Sequence, residues 1–122
     1  MPLVMTVDHA RHRVFTRATG SVTLPEVLAH IRDERLAKGL VYGELVDARG
    51  YRPEFTPDDV RTIVDALHQV AKRSPLGPTA VVVDSDVGFG MMRMLEILVE
   101  DVAAIRPFRH EDEARGWLDA AS

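Results

Sequence analysis

The run Ala80-Val81-Val82-Val83 constrains this chain more than any other segment. Four consecutive apolar residues, three of them β-branched, read as a strand buried on both faces, the pattern of a central strand in an α/β sheet. Such a strand needs helices above and below it, each with an apolar stripe turned inward.

The flanking sequence supplies them. Leu3, Met5 and Val7 alternate with Val4 and Thr6 as in a half-buried strand. The polar stretch from Asp8 to His12 then leads into a second alternating segment, Arg13 to Thr19, which completes an antiparallel hairpin closed by Gly20-Ser21. Thr23-Leu24-Pro25-Glu26 has the form of a capped helix start, the Thr23 hydroxyl capping the Glu26 amide and the Glu26 carboxylate reaching back to residue 23. Leu24, Val27, Leu28 and Ile31 follow at helical spacing, and Gly39 marks the stop. Leu40 to Ala48 reads as the third strand. Thr56-Pro57-Asp58-Asp59 opens the second helix, with proline at its first position and Val60, Ile63, Val64, Leu67, Val70 and Ala71 as its stripe. After a turn at Pro75–Pro78 and the Ala80–Val83 strand, a third helix is predicted from Asp86 to Ala103. Ile105 to Phe108 is a short strand whose proline puts it at an edge, and Ala114, Trp117, Leu118 and Ala121 are the buried side of a last helix. The predicted order is β-β-α-β-α-β-α-β-α: a mixed, mostly parallel sheet with an N-terminal hairpin and flanking helices, in a single domain spanning 1–122.

Composition narrows the partners. A formal net charge of -4, with no basic run longer than Lys72-Arg73, argues against nucleic acid and anionic membrane. The absence of cysteine removes disulfides, thiol chemistry and thiolate metal sites. The opening Met1-Pro2-Leu3-Val4-Met5-Thr6-Val7-Asp8 lacks the features of a signal peptide. No apolar run has the length of a bilayer span, so a cytoplasmic location is expected.

That order of elements, with Glu44-Leu45-Val46-Asp47 ending the third strand and a capped helix soon after, resembles the STAS domains. These are typified by bacterial anti-sigma-factor antagonists, whose SpoIIAA-like fold is close to that of lipid-binding CRAL-TRIO domains. Leu45-Val46-Asp47-Ala48-Arg49, Phe89-Gly90-Met91-Met92-Arg93-Met94, and Phe108-Arg109 with Ala114-Arg115-Gly116-Trp117-Leu118 look like stand-alone STAS/SEC14-like bacterial proteins. The resemblance implies a SpoIIAA-like fold and no established activity. In antagonist domains a phosphorylatable serine stands nine residues after the strand-ending aspartate. The same count from Asp47 reaches Thr56, without the surrounding Asp-Ser-Ser-Gly pattern. Thr56 is thus the candidate phosphoacceptor, while an N-cap role already accounts for it.

Asp47, Arg49, Asp84, Ser85 and Asp86 fall just beyond strand ends, where open α/β sheets bind ligands. If the two strands are neighbours these groups converge as a polar pocket or a weak divalent-cation site, although turn and cap roles explain each of them. Gly88-Phe89-Gly90 lacks the spacing of a phosphate cradle. The serines at 21, 74, 85 and 122 form no nucleophile elbow. His9, His12, His30, His68 and His110 contain no histidine pair at i,i+4 with a third ligand in view, so neither metal nor cofactor is expected.

The third helix is unusual. Its apolar arc, which includes Val87, Met91, Met92, Met94, Leu98 and Val99, covers about half the circumference. Phe89 and Ile97 lie beyond that arc among charges. Methionine suits adaptable contacts, which makes Phe89, Met91, Met92, Met94 and Ile97 a candidate partner surface and a homodimer the expected assembly. The expected function is a non-enzymatic regulatory or protein-interaction module. The alternative is a carrier or sensor of a small apolar, lipid-like ligand. A filled core with an exposed methionine-flanked patch favours the module, an apolar cavity favours the carrier, and clustered acids with perturbed titration favour an enzyme.

Overall fold

The computed structural model describes residues 3–121; Met1, Pro2 and Ser122, which enter the reading of the start and of the serines, lie outside them. The hairpin pairs β1 (Leu3–Asp8) with β2 (Arg13–Ala18) in antiparallel register, Leu3 facing Ala18 and Asp8 facing Arg13. Then β4 (Gly43–Asp47), β6 (Thr79–Val82) and β7 (Ile105–Phe108) add in parallel, giving the order β1-β2-β4-β6-β7. The alternating strand and helix pattern thus produces the mostly parallel sheet expected of it, with the proline-bearing strand at an edge.

Several elements depart from the sequence reading. Gly20-Ser21 does not simply close the hairpin: β3 (Gly20–Val22) pairs in parallel with β5 (Tyr51–Pro53) as a separate two-stranded sheet. A bond from the Glu54 N–H to the Val22 carbonyl extends this pairing. Each of these strands leads directly into a helix, α1 (Leu24–Leu36) or α2 (Pro57–Ala71). The third helix is also shorter than predicted, α3 running Asp86–Leu98. Val99 caps it and is fully buried. The chain behind it turns through Val102 and Ala103, whose amides bond to the Val99 carbonyl. The third strand begins at Gly43, because residues 40–42 form a turn.

Alternation along β6 sends side chains to two cores. Ala80 and Val82 meet Leu45, Ala114 and Leu118, with Phe15, Phe108 and Trp117 around them, under α4 (Glu111–Ala121). Val81 and Val83 point the other way, to Ala18, Val22, Ala48, Val99 and Ile105, beneath α1, α2 and α3. All four residues of the Ala80–Val83 run are buried, as a strand covered on both faces requires. Its place is next to the edge, with β4 in the middle of the sheet.

The helix starts follow their local chemistry. The Thr56 hydroxyl accepts from the Asp59 N–H at 3.1 Å, and the Asp59 carboxylate accepts from the Thr56 N–H at 3.0 Å. At α1 the Thr23 N–H and hydroxyl both donate to Glu26 Oε1. Ser85 caps α3 by accepting from the Gly88 N–H at 3.0 Å. No helix among the described residues is long and apolar enough to cross a membrane.

Candidate functional site

Three helices over one sheet face leave that face incompletely filled. A partly open pocket of about 180 Å³ lies between α1, α2, α3 and the sheet. Its wall is mostly hydrocarbon, including Val27, Ile63, Leu67, Val81, Met92 and Leu95. The loop carrying Leu76 and Gly77 forms one side. Gly77 donates its N–H to the Leu40 carbonyl at 2.8 Å, and a Cβ at this position would collide with the Tyr42 carbonyl. The two loops can therefore close on each other only with glycine here.

A compact polar cluster interrupts this apolar wall. His30 and Glu34 stand four residues apart on α1 and so share one face of the helix. Glu44, on β4, faces the same side as Thr16 of β2. His30 Nε2 lies 2.8 Å from Glu44 Oε2 and 2.9 Å from Glu34 Oε1. The Thr16 hydroxyl donates to Glu44 Oε2 at 2.6 Å. Glu34 and Glu44 are buried and His30 nearly so. All four line the pocket.

The environment divides the two carboxyls. Burial pushes the Glu34 pKa up, the Glu44 charge pushes it further, and it reaches about 8 against the opposing pull of His30. Burial acts the same way on Glu44, but the His30 hydrogen bond and charge, with the Thr16 hydroxyl, outweigh it and hold Glu44 below its ordinary range. For His30, burial alone would lower the pKa. The hydrogen bonds to both carboxylates, and their charges, reverse this and raise it to about 10. Around neutral pH the cluster is an imidazolium between one carboxylate and one carboxylic acid.

The strand-end residues singled out from the sequence come together differently. β4 and β6 are neighbours, and Asp47 and Asp84 both approach the turn at Gly50. Each acid there has a partner in its own chain. Arg49 binds Asp47 through two nitrogens at 2.9 Å, which holds that carboxyl below the usual range. Asp84 accepts from the Gly50 N–H at 3.0 Å, and Asp86 pairs with Arg109 at 2.7 Å. The buried pair of acids is Glu34 and Glu44.

On α3 the predicted arc is rotated. Phe89, placed among charges from the sequence, packs with Met92 and Leu95 onto the core, and the Arg109 guanidinium lies over its ring. Val87, Met94 and Leu98, assigned to the apolar arc, are exposed beside Ile97, which is 56% exposed. Met91 is half-buried. The remaining histidines stand apart from the pocket's cluster. His9 and His12 bracket the Tyr42 ring, and His68 donates from Nδ1 to the Val64 carbonyl while its Nε2 lies 3.1 Å from Asp101.

Histidine spacing alone does not reveal this cluster. The signal was nonetheless present: His30 and Glu34 at i,i+4, with Glu34 breaking what would otherwise be an apolar helix face.

No family model and no curated protein sequence matches this chain. Among solved structures it is similar to an uncharacterized protein of the DUF3478 family from Shewanella loihica PV-4, described as having a SpoIIAA-like fold. The superposition gives a TM-score of 0.64 at 11% identity and covers 95% of this chain and 93% of that one. At this identity the likeness establishes a SpoIIAA-like fold.

Proposed function

We propose that this SpoIIAA-like domain is a carrier or sensor of a small apolar ligand held between the three helices and the sheet. One observation carries this reading. The face that three helices cover retains a hydrocarbon-lined pocket of about 180 Å³. Apolar cavities of comparable size take up benzene-sized groups, because a dry cavity forfeits dispersion contacts that an apolar guest restores. An indole, a substituted benzene or a short alkyl chain has the matching volume.

Native mass spectrometry of freshly purified protein, with thermal unfolding in the presence of indole or hexanol, tests this. A ligand present at about 100 times its Kd stabilises the fold by about 2.7 kcal/mol. The expected result is saturable stabilisation by at least one of these probes, abolished when Val81→Phe fills the pocket. A chain that carries no extra mass and gains nothing from either probe overturns the reading.

A second reading rests on α3. Val87, Met94, Ile97 and Leu98 form an exposed apolar face that suits a protein partner, a second copy of this chain first. Light scattering at high concentration is expected to show a dimer that Ile97→Glu dissociates without loss of fold. A monomeric wild type removes the homodimer.

A further inference from the structure

We propose that His30, Glu34 and Glu44 form a binding site for one divalent first-row transition cation, with zinc as the representative ion. The site is built from residues on two rigid elements. His30 and Glu34 are fixed relative to each other by a turn of α1, and Glu44 is fixed by its place in β4 between two parallel neighbours. Nε2 and the two carboxylate oxygens all lie within 4.8 Å of one another.

The three groups that share protons and charge in this network also form a compact ligand set. A ring nitrogen carries a single N–H, which cannot point in line at two oxygens. Yet His30 Nε2 stands 2.9 Å from Glu34 and 2.8 Å from Glu44. Three ligand atoms aimed at one small volume are what a cation requires. With bonds of about 2.0–2.1 Å, a tetrahedral site separates its ligand atoms by roughly 3.3 Å, so the nitrogen and each oxygen need move apart by only about half an ångström. The Thr16 hydroxyl, donating to Glu44 Oε2 at 2.6 Å, orients that carboxylate from outside and leaves the oxygen a lone pair for the metal.

Charge and donor type select the ion. Two carboxylates balance a divalent cation with a neutral imidazole, so the buried site is electrically closed. One nitrogen donor beside two carboxylates favours zinc and its neighbours over calcium or magnesium, which take all-oxygen shells. All three residues line the pocket, so a fourth coordination position is open to it. This inference stands apart from the apolar ligand: a pocket that binds neither indole nor hexanol leaves the three ligands where they are.

The test uses the full chain, stripped with a chelator and titrated with Zn²⁺ by calorimetry, and with Co²⁺ by visible absorption. One equivalent per chain is expected, with a Kd on the order of micromolar or tighter, and Co²⁺ giving the d–d bands of a low-coordinate site. Glu34→Gln, which preserves size and hydrogen bonding, is expected to weaken zinc by at least about 100-fold with an unchanged circular dichroism spectrum. Glu44→Gln is expected to do the same; if it fails to fold, Glu34→Gln decides alone. The double variant His9→Ala, His12→Ala is expected to bind zinc as wild type does. Absence of saturable zinc binding, binding that survives Glu34→Gln, or binding lost with His9 and His12 would each overturn the proposal.

Discussion

Leu118 and His30 sit on opposite sides of the same sheet, and their surroundings differ in kind. Around Leu118 a single helix, α4, lays Ala114 and Leu118 between Leu45, Ala80 and Val82, and all five are buried. Around His30 three helices share the work, and between them they leave a pocket, two buried carboxyls and an imidazole. One helix lying flat on a sheet can fill every gap with small and medium side chains. Three helices meeting over one face leave a gap between their axes that side chains of ordinary size do not fill. The pocket and the buried ionisable groups thus lie under α1, α2 and α3, and the core under α4 is apolar.

The largest effect that tests this contrast is the loss of a large side chain on each face. Leu118→Ala is expected to cost about 2–5 kcal/mol, because Leu118 is fully buried and its neighbours cannot collapse into the hole. Leu67→Ala, on the pocket wall, is expected to cost less than half as much, since its side chain already borders empty space. Urea unfolding of both variants measures the difference. Equal costs would mean that the pocket face is as closely packed as the other.

A smaller effect sharpens the comparison through pH, because among the described residues the buried carboxylates, Glu34 and Glu44, both line the pocket. In metal-free protein, the signs follow from the three shifts. Glu34, raised from 4.5 to about 8, contributes stability that is present at low pH and is lost as pH rises through that range. His30, raised from 6.5 to about 10, loses its contribution over a higher window in the same direction. Glu44, lowered, loses its contribution as pH falls below 4.5. Denaturation midpoints are therefore expected to decline from pH 6.5 to pH 10, with Glu34→Gln flattening the lower part of that decline. A midpoint constant across this range would show that the cluster does not carry these charges.

The face under α4 was also the more legible in sequence. Ala80–Val83 announced a doubly covered strand through composition alone, and Ala114, Trp117 and Leu118 declared their helix face by spacing. Thr56 and Ser85 announced their caps, and the hydroxyls accept where such caps should. What stayed hidden depended on long-range geometry. A glutamate within a helix reads as a solvent position, and only the approach of β4 turns Glu34 into a buried group. Tyr51-Arg52-Pro53 lacks any strand signal, since its proline argues against pairing, yet β3 lies alongside it. The arc of α3 was rotated because hydrophobicity alone cannot tell which apolar residues face the core; Val87 and Leu98 are as apolar as Leu95 but face outward.

The small β3–β5 ladder has a consequence for how this domain breathes. By joining the segments that enter α1 and α2, it ties both helix starts to one anchor, with Gly20 beside Tyr51 and Val22 beside Pro53. On the proposed carrier reading, the two helices are expected to move like the arms of forceps held at the pivot. Any widening to admit or release a guest is greatest at their far ends, near Ala37 and Ala71, and smallest at Thr23 and Thr56. His30 and Glu34 ride on the moving half of one arm while Glu44 stays in the sheet, so the same motion that opens the pocket draws the imidazole away from its fixed carboxylate.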